Sequence, residues 1–137
     1  MKRSLWIATA AALAFAAFAG LAVIAAAHTA RYDSLVSISF QRGHHGDSDA
    51  FKGKVVSLKD RCERNRTVAV KRRLDGPDTL IGTDVTNKDG EWELQAPSTP
   101  AGTYYARARR KVLRHTANHL HVCKPAVSHD LKVAGKR

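Results

Sequence analysis

The stretch EWELQAPSTPAGTYYARAR, residues 91–109, carries the clearest structural pattern of this chain. In its first part, Trp92 and Leu94 alternate with three polar residues, so apolar and polar side chains point to opposite faces of an extended strand. A loop with two prolines and a glycine follows. The pattern predicts an amphipathic β-strand over residues 91–95, with Trp92 buried between two sheets. Its expected neighbours are Val68, Val70, Tyr104 and Ala106.

The second part of the stretch alternates in the same way and predicts a strand with one apolar and one basic face. The apolar set, which we expect to be buried, consists of Tyr104, Ala106 and Ala108. The opposite set, which we expect to face solvent, begins at Tyr105. Its basic members, Arg107, Arg109 and Lys111, form a candidate anion-binding face.

Period-two alternation and turn residues recur along the rest of the chain. Further strands are predicted over residues 34–40, 51–58, 67–73, 80–86 and 119–123, with a closing segment at residues 127–133. Gly53 interrupts one strand, which indicates a bulge or a close backbone approach. A polar leader is predicted for residues 28–33, a loop for residues 41–50 and a hairpin tip for residues 113–118. About eight short strands without a helical period predict an all-β fold, an antiparallel β-sandwich.

Residues 1–27 have the layout of a secretory signal peptide, which predicts an N-terminal signal helix before the β domain. Lys2 and Arg3 form a basic head, the residues from Leu5 to Ile24 are mostly apolar, and an A-x-A site precedes His28. The alternative is an uncleaved anchor, because this apolar stretch is long enough to cross a bilayer. We therefore expect a secreted or extracytoplasmic protein that contacts a membrane only through an uncleaved signal segment.

Removal of the signal peptide would leave a strongly basic domain. Of the 23 basic residues, 21 would remain against 12 acidic ones, a net charge of +9. This charge favours an anionic surface or polymer as partner, whereas nucleic acid is not expected outside the cytoplasm. The domain organisation predicted here is an N-terminal segment at residues 28–50 with one strand and a polar loop, a β-sandwich at residues 51–133 and a basic tail at residues 134–137. We expect a monomer.

Two cysteines, Cys62 and Cys123, are present in the whole chain. An even number of cysteines in an exported protein indicates a disulfide, and two cysteines allow one intramolecular pairing. Their wide separation, without a C-x-x-C motif, argues against a thiol redox pair or a cysteine metal site. The sequence therefore predicts a Cys62–Cys123 disulfide between the loop after residue 58 and the strand that ends at residue 123.

Several short motifs together resemble a known domain group. They are Gly53-x-Val55, Arg66-x-Val68-x-Val70, Ile81-Gly82, Thr86-x-x-x-Gly90-x-Trp92 and Gly102-x-Tyr104-Tyr105. Over about residues 51–110, the chain resembles the carboxypeptidase regulatory-like domains of the transthyretin-like (prealbumin-like) group, above all their small secreted bacterial forms with one disulfide. This resemblance implies a Greek-key β-sandwich of seven or eight strands that serves as an accessory or adhesive module. The group has no common catalytic residues.

Three histidines form a candidate metal site that is open as an alternative function. His119 and His121 fall on the same face of one predicted strand, and signal cleavage after Ala27 would place His28 at the new N-terminus. Neutral imidazole binds copper and zinc, and an N-terminal histidine can chelate copper through both its amine and its ring. The alternative function is an extracytoplasmic copper or zinc carrier. The simpler interpretation is that these histidines are polar strand residues without a ligand.

The sequence contains no arrangement that we associate with an enzyme. There is no G-x-S-x-G motif, and the paired acids Glu91 and Glu93 are explained by the solvated side of the Trp92 strand. We therefore expect neither catalytic residues nor a bound cofactor. The leading hypothesis is a secreted, non-enzymatic β-sandwich module with a binding or structural role at or outside the cell envelope.

Overall fold

The structure is a computed structural model, and it describes residues 27–44 and 46–135. This part of the chain is all-β: strands dominate, and the described residues form no α-helix. A 3₁₀ turn, η1 (Asp60–Cys62), lies between the fourth and fifth strands. The strands are β1 (His28–Tyr32), β2 (Leu35–Val36), β3 (Ser39–Gln41), β4 (Ala50–Val56), β5 (Thr67–Arg72), β6 (Thr79–Val85), β7 (Glu91–Gln95), β8 (Gly102–Ala108), β9 (Lys111–Thr116), β10 (His119–Cys123), β11 (Ala126–Val127) and β12 (Leu131–Val133).

The strands form three sheets. In the first, β8 pairs with β5 on one side and with β11 and β12 on the other, and β6 lies at the edge beside β5. In the second, β4 pairs with β7 on one side and with β2 and β3 on the other. The third is small and has the order β1-β10-β9. All of these pairs are antiparallel except β1–β10, which is parallel.

The hydrophobic core lies between the first two sheets. Tyr104, Ala106 and Ala108 of β8 are fully buried, as their alternation predicts. Trp92 is only 3% exposed, and it belongs to one buried cluster with its four expected neighbours. The period-two pattern thus assigned the buried faces of β7 and β8 correctly, and their burial stabilises the contact between the two sheets.

The strand predicted over residues 34–40 is divided into β2 and β3. Between them, the Ser37 hydroxyl accepts a hydrogen bond from the Lys54 N–H (2.9 Å), in place of a backbone carbonyl of the ladder. Gly53 is required beside this break, because a Cβ at position 53 would lie 2.0 Å from the Ser37 carbonyl oxygen and 2.6 Å from the Trp92 ring. The glycine therefore serves the close backbone approach that the sequence indicated as one of two possibilities.

The prediction of a polar leader over residues 28–33 is wrong, because residues 28–32 form β1 and pair with β10. Alternation over five residues is too short to distinguish a strand from a polar leader. The predicted hairpin tip is also too long, because β9 extends to Thr116 and only two residues separate it from β10. The closing segment is divided into β11 and β12, and the parallel pair shows that the strands are not all antiparallel.

The Cys62–Cys123 disulfide is present and joins η1 to the end of β10, as predicted. The predicted signal peptide, residues 1–27, lies outside the described residues except for Ala27, and so do the last two residues of the basic tail. No helix that could span a bilayer occurs in the described part of the chain.

Candidate functional site

The third sheet brings the three predicted metal-site histidines together. In the parallel register of β1 and β10, His28 lies opposite His119 and Ala30 lies opposite His121. Side chains of paired residues point to the same face of a sheet, and residues two apart share that face. His28, His119 and His121 therefore lie on one face, which we call the histidine cluster.

The imidazole rings of the histidine cluster are close neighbours. The ring centroids of His28 and His121 are 5.3 Å apart, and His119 is 6.1 Å from each of them. The Tyr32 ring lies 6.2 Å from His121 on the same face. All four contacts are edge-on, so the rings do not stack on one another.

His121 occupies the most enclosed position of the cluster. Its Nε2 atom is buried and has no hydrogen-bond partner within the described residues. Burial, followed by the neighbouring His28 and His119, holds the pKa of His121 below its ordinary value, and Arg114 and Lys59 add to this effect. The lowered pKa favours the neutral imidazole of His121, which is the form that binds metal ions.

The rings would have to turn before they could share a metal ion. Two nitrogens bound to one tetrahedral Zn²⁺ at about 2.0–2.1 Å lie about 3.3 Å apart. Within the described residues, no group of three or more His, Cys, Asp or Glu side chains is arranged to hold a metal ion. The rings of the cluster are nevertheless near enough that side-chain rotation, without movement of the strands, can bring their nitrogens closer together.

His28 also has a backbone contact that bears on chelation. Its backbone nitrogen donates a hydrogen bond to the carbonyl of Asn118 (2.8 Å), at the turn between β9 and β10. If the chain begins at His28, this nitrogen becomes the terminal amine. The amine would then have to leave the Asn118 carbonyl in order to chelate a metal together with the His28 ring.

The predicted basic face is wrong, because its three basic residues do not lie on one strand. The strand β8 ends at Ala108, so Arg109 lies beyond it, and Lys111 begins β9 in a different sheet. The Lys111 ammonium instead donates to the carbonyls of Arg61 (2.8 Å) and Arg64 (2.5 Å). Burial lowers its pKa, and nearby arginines lower it further. Lys111 thus holds the Cys62 loop rather than extending a strand face.

The outer face of β8 is only partly basic. Arg107 is exposed, as predicted. The prediction that Tyr105 faces solvent is wrong: it is only 8% exposed, because the Arg73 guanidinium covers its ring at 4.3 Å from the centroid. The Tyr105 hydroxyl donates to Asp78 (2.8 Å), and Arg73 forms an ion pair with Asp130 (2.7 Å). Two carboxylates therefore offset part of the positive charge on this face.

Sequence reasoning missed the residues that surround the histidine cluster. Tyr32 and Arg114 share the face of His121, and the Lys59 ammonium lies 5.6 Å from the Tyr32 ring centroid. The five residues of β1 are too few for their alternation alone to have indicated a strand. No local pattern could have indicated that β1 pairs with β10, because this partner lies far away in the sequence.

Comparison with protein-family models, with curated proteins and with solved structures gives no significant match for this chain.

Proposed function

We propose that this chain is a non-enzymatic β-sandwich module that acts outside the cytoplasm and binds a transition-metal ion, Cu(II) or Zn(II), through the histidine cluster. The observation that carries the proposal is the parallel pairing of β1 with β10, which brings three imidazole rings to within 5.3–6.1 Å of one another. The disulfide is compatible with the extracytoplasmic location.

The chemistry of the donors supports a late first-row metal. Imidazole nitrogen suits copper, zinc and nickel, and copper(II) binds most tightly in the general order of divalent affinities. The Nε2 atom of His121, which has no hydrogen-bond partner in the described part of the chain, has a lone pair that a metal ion would accept. Arg114 and Lys59 oppose the approach of a cation, so we expect moderate affinity and an anion or water in the remaining coordination position.

The wider interpretation of the fold belongs to the same proposal. We assign residues 51–133 to a Greek-key sandwich of the transthyretin-like type on the strength of the motifs described above. The two sheets with one core between them support this assignment. The net charge of +9 after signal removal supports contact with an anionic surface or polymer at the envelope.

Metal titration of the exported protein tests the proposal. The protein is purified in the form in which it leaves the cytoplasm, and its N-terminus is identified by mass spectrometry. Cu(II), Zn(II) and Ni(II) are then titrated in separate calorimetric experiments, with electron paramagnetic resonance to detect nitrogen ligands on copper. We expect one bound ion per chain and nitrogen hyperfine structure.

Matched histidine variants locate the site. His121→Ala should weaken binding by at least about tenfold, since it removes one of three protein ligands. His115→Ala is the control, because His115 is exposed and lies opposite Leu120, on the other face of the same sheet. Equal losses in both variants, or no binding by the wild-type chain, would refute the metal proposal.

A further inference from the structure

A second surface of the molecule combines exposed apolar side chains with positive charge. Leu35 of β2 is 77% exposed, Leu58 is fully exposed, and Val56 of β4 is 48% exposed. Leu35 lies opposite Val56 in the β2–β4 register, so both point to the same face. All three line one shallow depression, which we call the leucine edge. Three exposed apolar side chains in one depression differ from the isolated apolar residues of an ordinary surface.

A cationic depression adjoins the leucine edge. Arg31, Arg110 and Lys124 line it together with Leu120, Val122 and Pro125. An ion pair links the two depressions: the Asp33 carboxylate of the leucine edge pairs with the Lys124 ammonium (2.7 Å). The Asp33 carbonyl accepts a hydrogen bond from the Ser57 hydroxyl (2.6 Å). Because Lys124 is paired with Asp33, Arg31 and Arg110 are the cations most available to an external anion.

Further cations line a second depression that shares Leu58 with the leucine edge. They are Lys59, Arg61 and Arg64, and Asp60 is the one acidic residue among them. Leu58 is therefore an exposed apolar tip with cations beside it. The pattern of an apolar tip beside cations matches the chemistry of an anionic bilayer, in which phosphate head groups lie over an acyl layer.

We propose that the leucine edge docks on an anionic lipid bilayer. Leu35 and Leu58 enter the boundary between head groups and acyl chains, and Arg31 and Arg110 bind head-group phosphates. A soluble polyanion would satisfy the cations but would leave both leucines in water, so the leucines favour lipid over polymer. The phosphate-binding Arg31 is separate from the histidine cluster, since it points to the opposite face of β1 from His28. Lys59 lies close to both surfaces, because it lines the depression with Leu58 and contacts the Tyr32 ring.

Vesicle sedimentation tests the apolar part of the proposal. The exported protein is mixed with vesicles of phosphatidylcholine alone or of phosphatidylcholine with phosphatidylglycerol. We expect binding to the anionic vesicles, weakened about a hundredfold in the double variant Leu35→Ser/Leu58→Ser, because each buried leucine contributes about one decade of affinity. The control, Leu74→Ser/Leu80→Ser, removes two leucines of comparable type that are about half exposed elsewhere, and it should bind normally.

Charge reversal tests the cationic part. Arg31→Glu/Arg110→Glu should abolish binding to the anionic vesicles, whereas the control Lys88→Glu/Lys132→Glu, which makes the same change in net charge at two other exposed positions, should retain most of it. Thermal unfolding and circular dichroism of each variant confirm that the fold is intact.

Three results would overturn the proposal. Absence of binding to anionic vesicles would refute it directly. Normal binding by the Leu35→Ser/Leu58→Ser variant would show adherence by charge alone. A wild-type dimer that this variant converts to a monomer, measured by light scattering, would show that a second copy of the chain covers the leucine edge. Wild type and variants are all prepared with the N-terminus that the exported protein carries. Any contribution of the apolar segment at residues 5–24 to vesicle binding is then the same in all of them.

Discussion

Replacing Arg66 with methionine should destabilise the domain by about 3–5 kcal/mol. The Arg66 side chain is fully buried, and its guanidinium donates to four acceptors, none of them a carboxylate. The acceptors are the carbonyls of Cys62 (2.9 Å), Arg109 (2.5 Å) and Lys124 and the hydroxyl of Ser34 (3.1 Å). One side chain thus holds four chain segments, including both segments that the disulfide joins.

The magnitude follows from the groups that the substitution leaves unpaired. A buried acceptor without a partner costs about 1–3 kcal/mol. Three carbonyls would lose their donor: the Cys62 carbonyl in a buried hydrogen bond, and the Arg109 and Lys124 carbonyls in partly buried ones. Two effects offset part of this loss of stability. Methionine keeps an apolar side chain of similar length in the site, and it removes a cation that is unfavourable there, since burial lowers the pKa of Arg66. The net loss in the free energy of unfolding is therefore about 3–5 kcal/mol, well below the sum of three full penalties for unpaired carbonyls.

Urea unfolding followed by tryptophan fluorescence measures the loss. Arg64→Met is the control, because Arg64 is exposed in the same loop, and this variant should lie within about 0.5 kcal/mol of wild type. A loss below about 1 kcal/mol for Arg66→Met, at an unchanged slope of the unfolding curve, would refute the assignment of Arg66 as the link between these segments.

Three further predictions concern stability. Replacing Cys62 and Cys123 together with alanine should lower the free energy of unfolding by about 2–5 kcal/mol, and a thiol assay of the native protein should detect no free thiol. Trp92→Ala should cost about 3–5 kcal/mol in urea unfolding, because it leaves a cavity in the core; easy quenching of its fluorescence by iodide would contradict its burial. The hydrogen bond from the Tyr105 hydroxyl holds the pKa of Asp78 below its usual value. Ionised Asp78 therefore stabilises the fold above its unfolded pKa of about 3.9, and this stabilisation is lost as the pH falls through the lower folded pKa. Asp78→Asn should remove this part of the acid dependence of the unfolding midpoint, and an unchanged pH profile would count against it.

The predicted basic face illustrates how local patterns are limited. Alternation correctly placed Arg107 away from the core, because the inward side of β8 is set by the neighbouring Ala106 and Ala108. The same alternation, extended to Lys111, missed the change of sheet between β8 and β9. Because β8 and β9 both alternate in side-chain direction, the period-two pattern runs on from one strand to the next. Nothing in the residue types therefore marks the point where the chain changes sheet.

By itself, the sequence determined which side chains of single strands face the core and which cysteines can pair. Period-two alternation identified the buried faces of β7 and β8, and two cysteines in a chain with an export layout allowed one disulfide. The tertiary structure alone decided the parallel pairing of β1 with β10, the burial of Arg66 and the meeting of His28 with His121. The physical reason is that alternation fixes the direction of each side chain relative to its own strand, whereas strand partners depend on contacts between residues far apart in the chain.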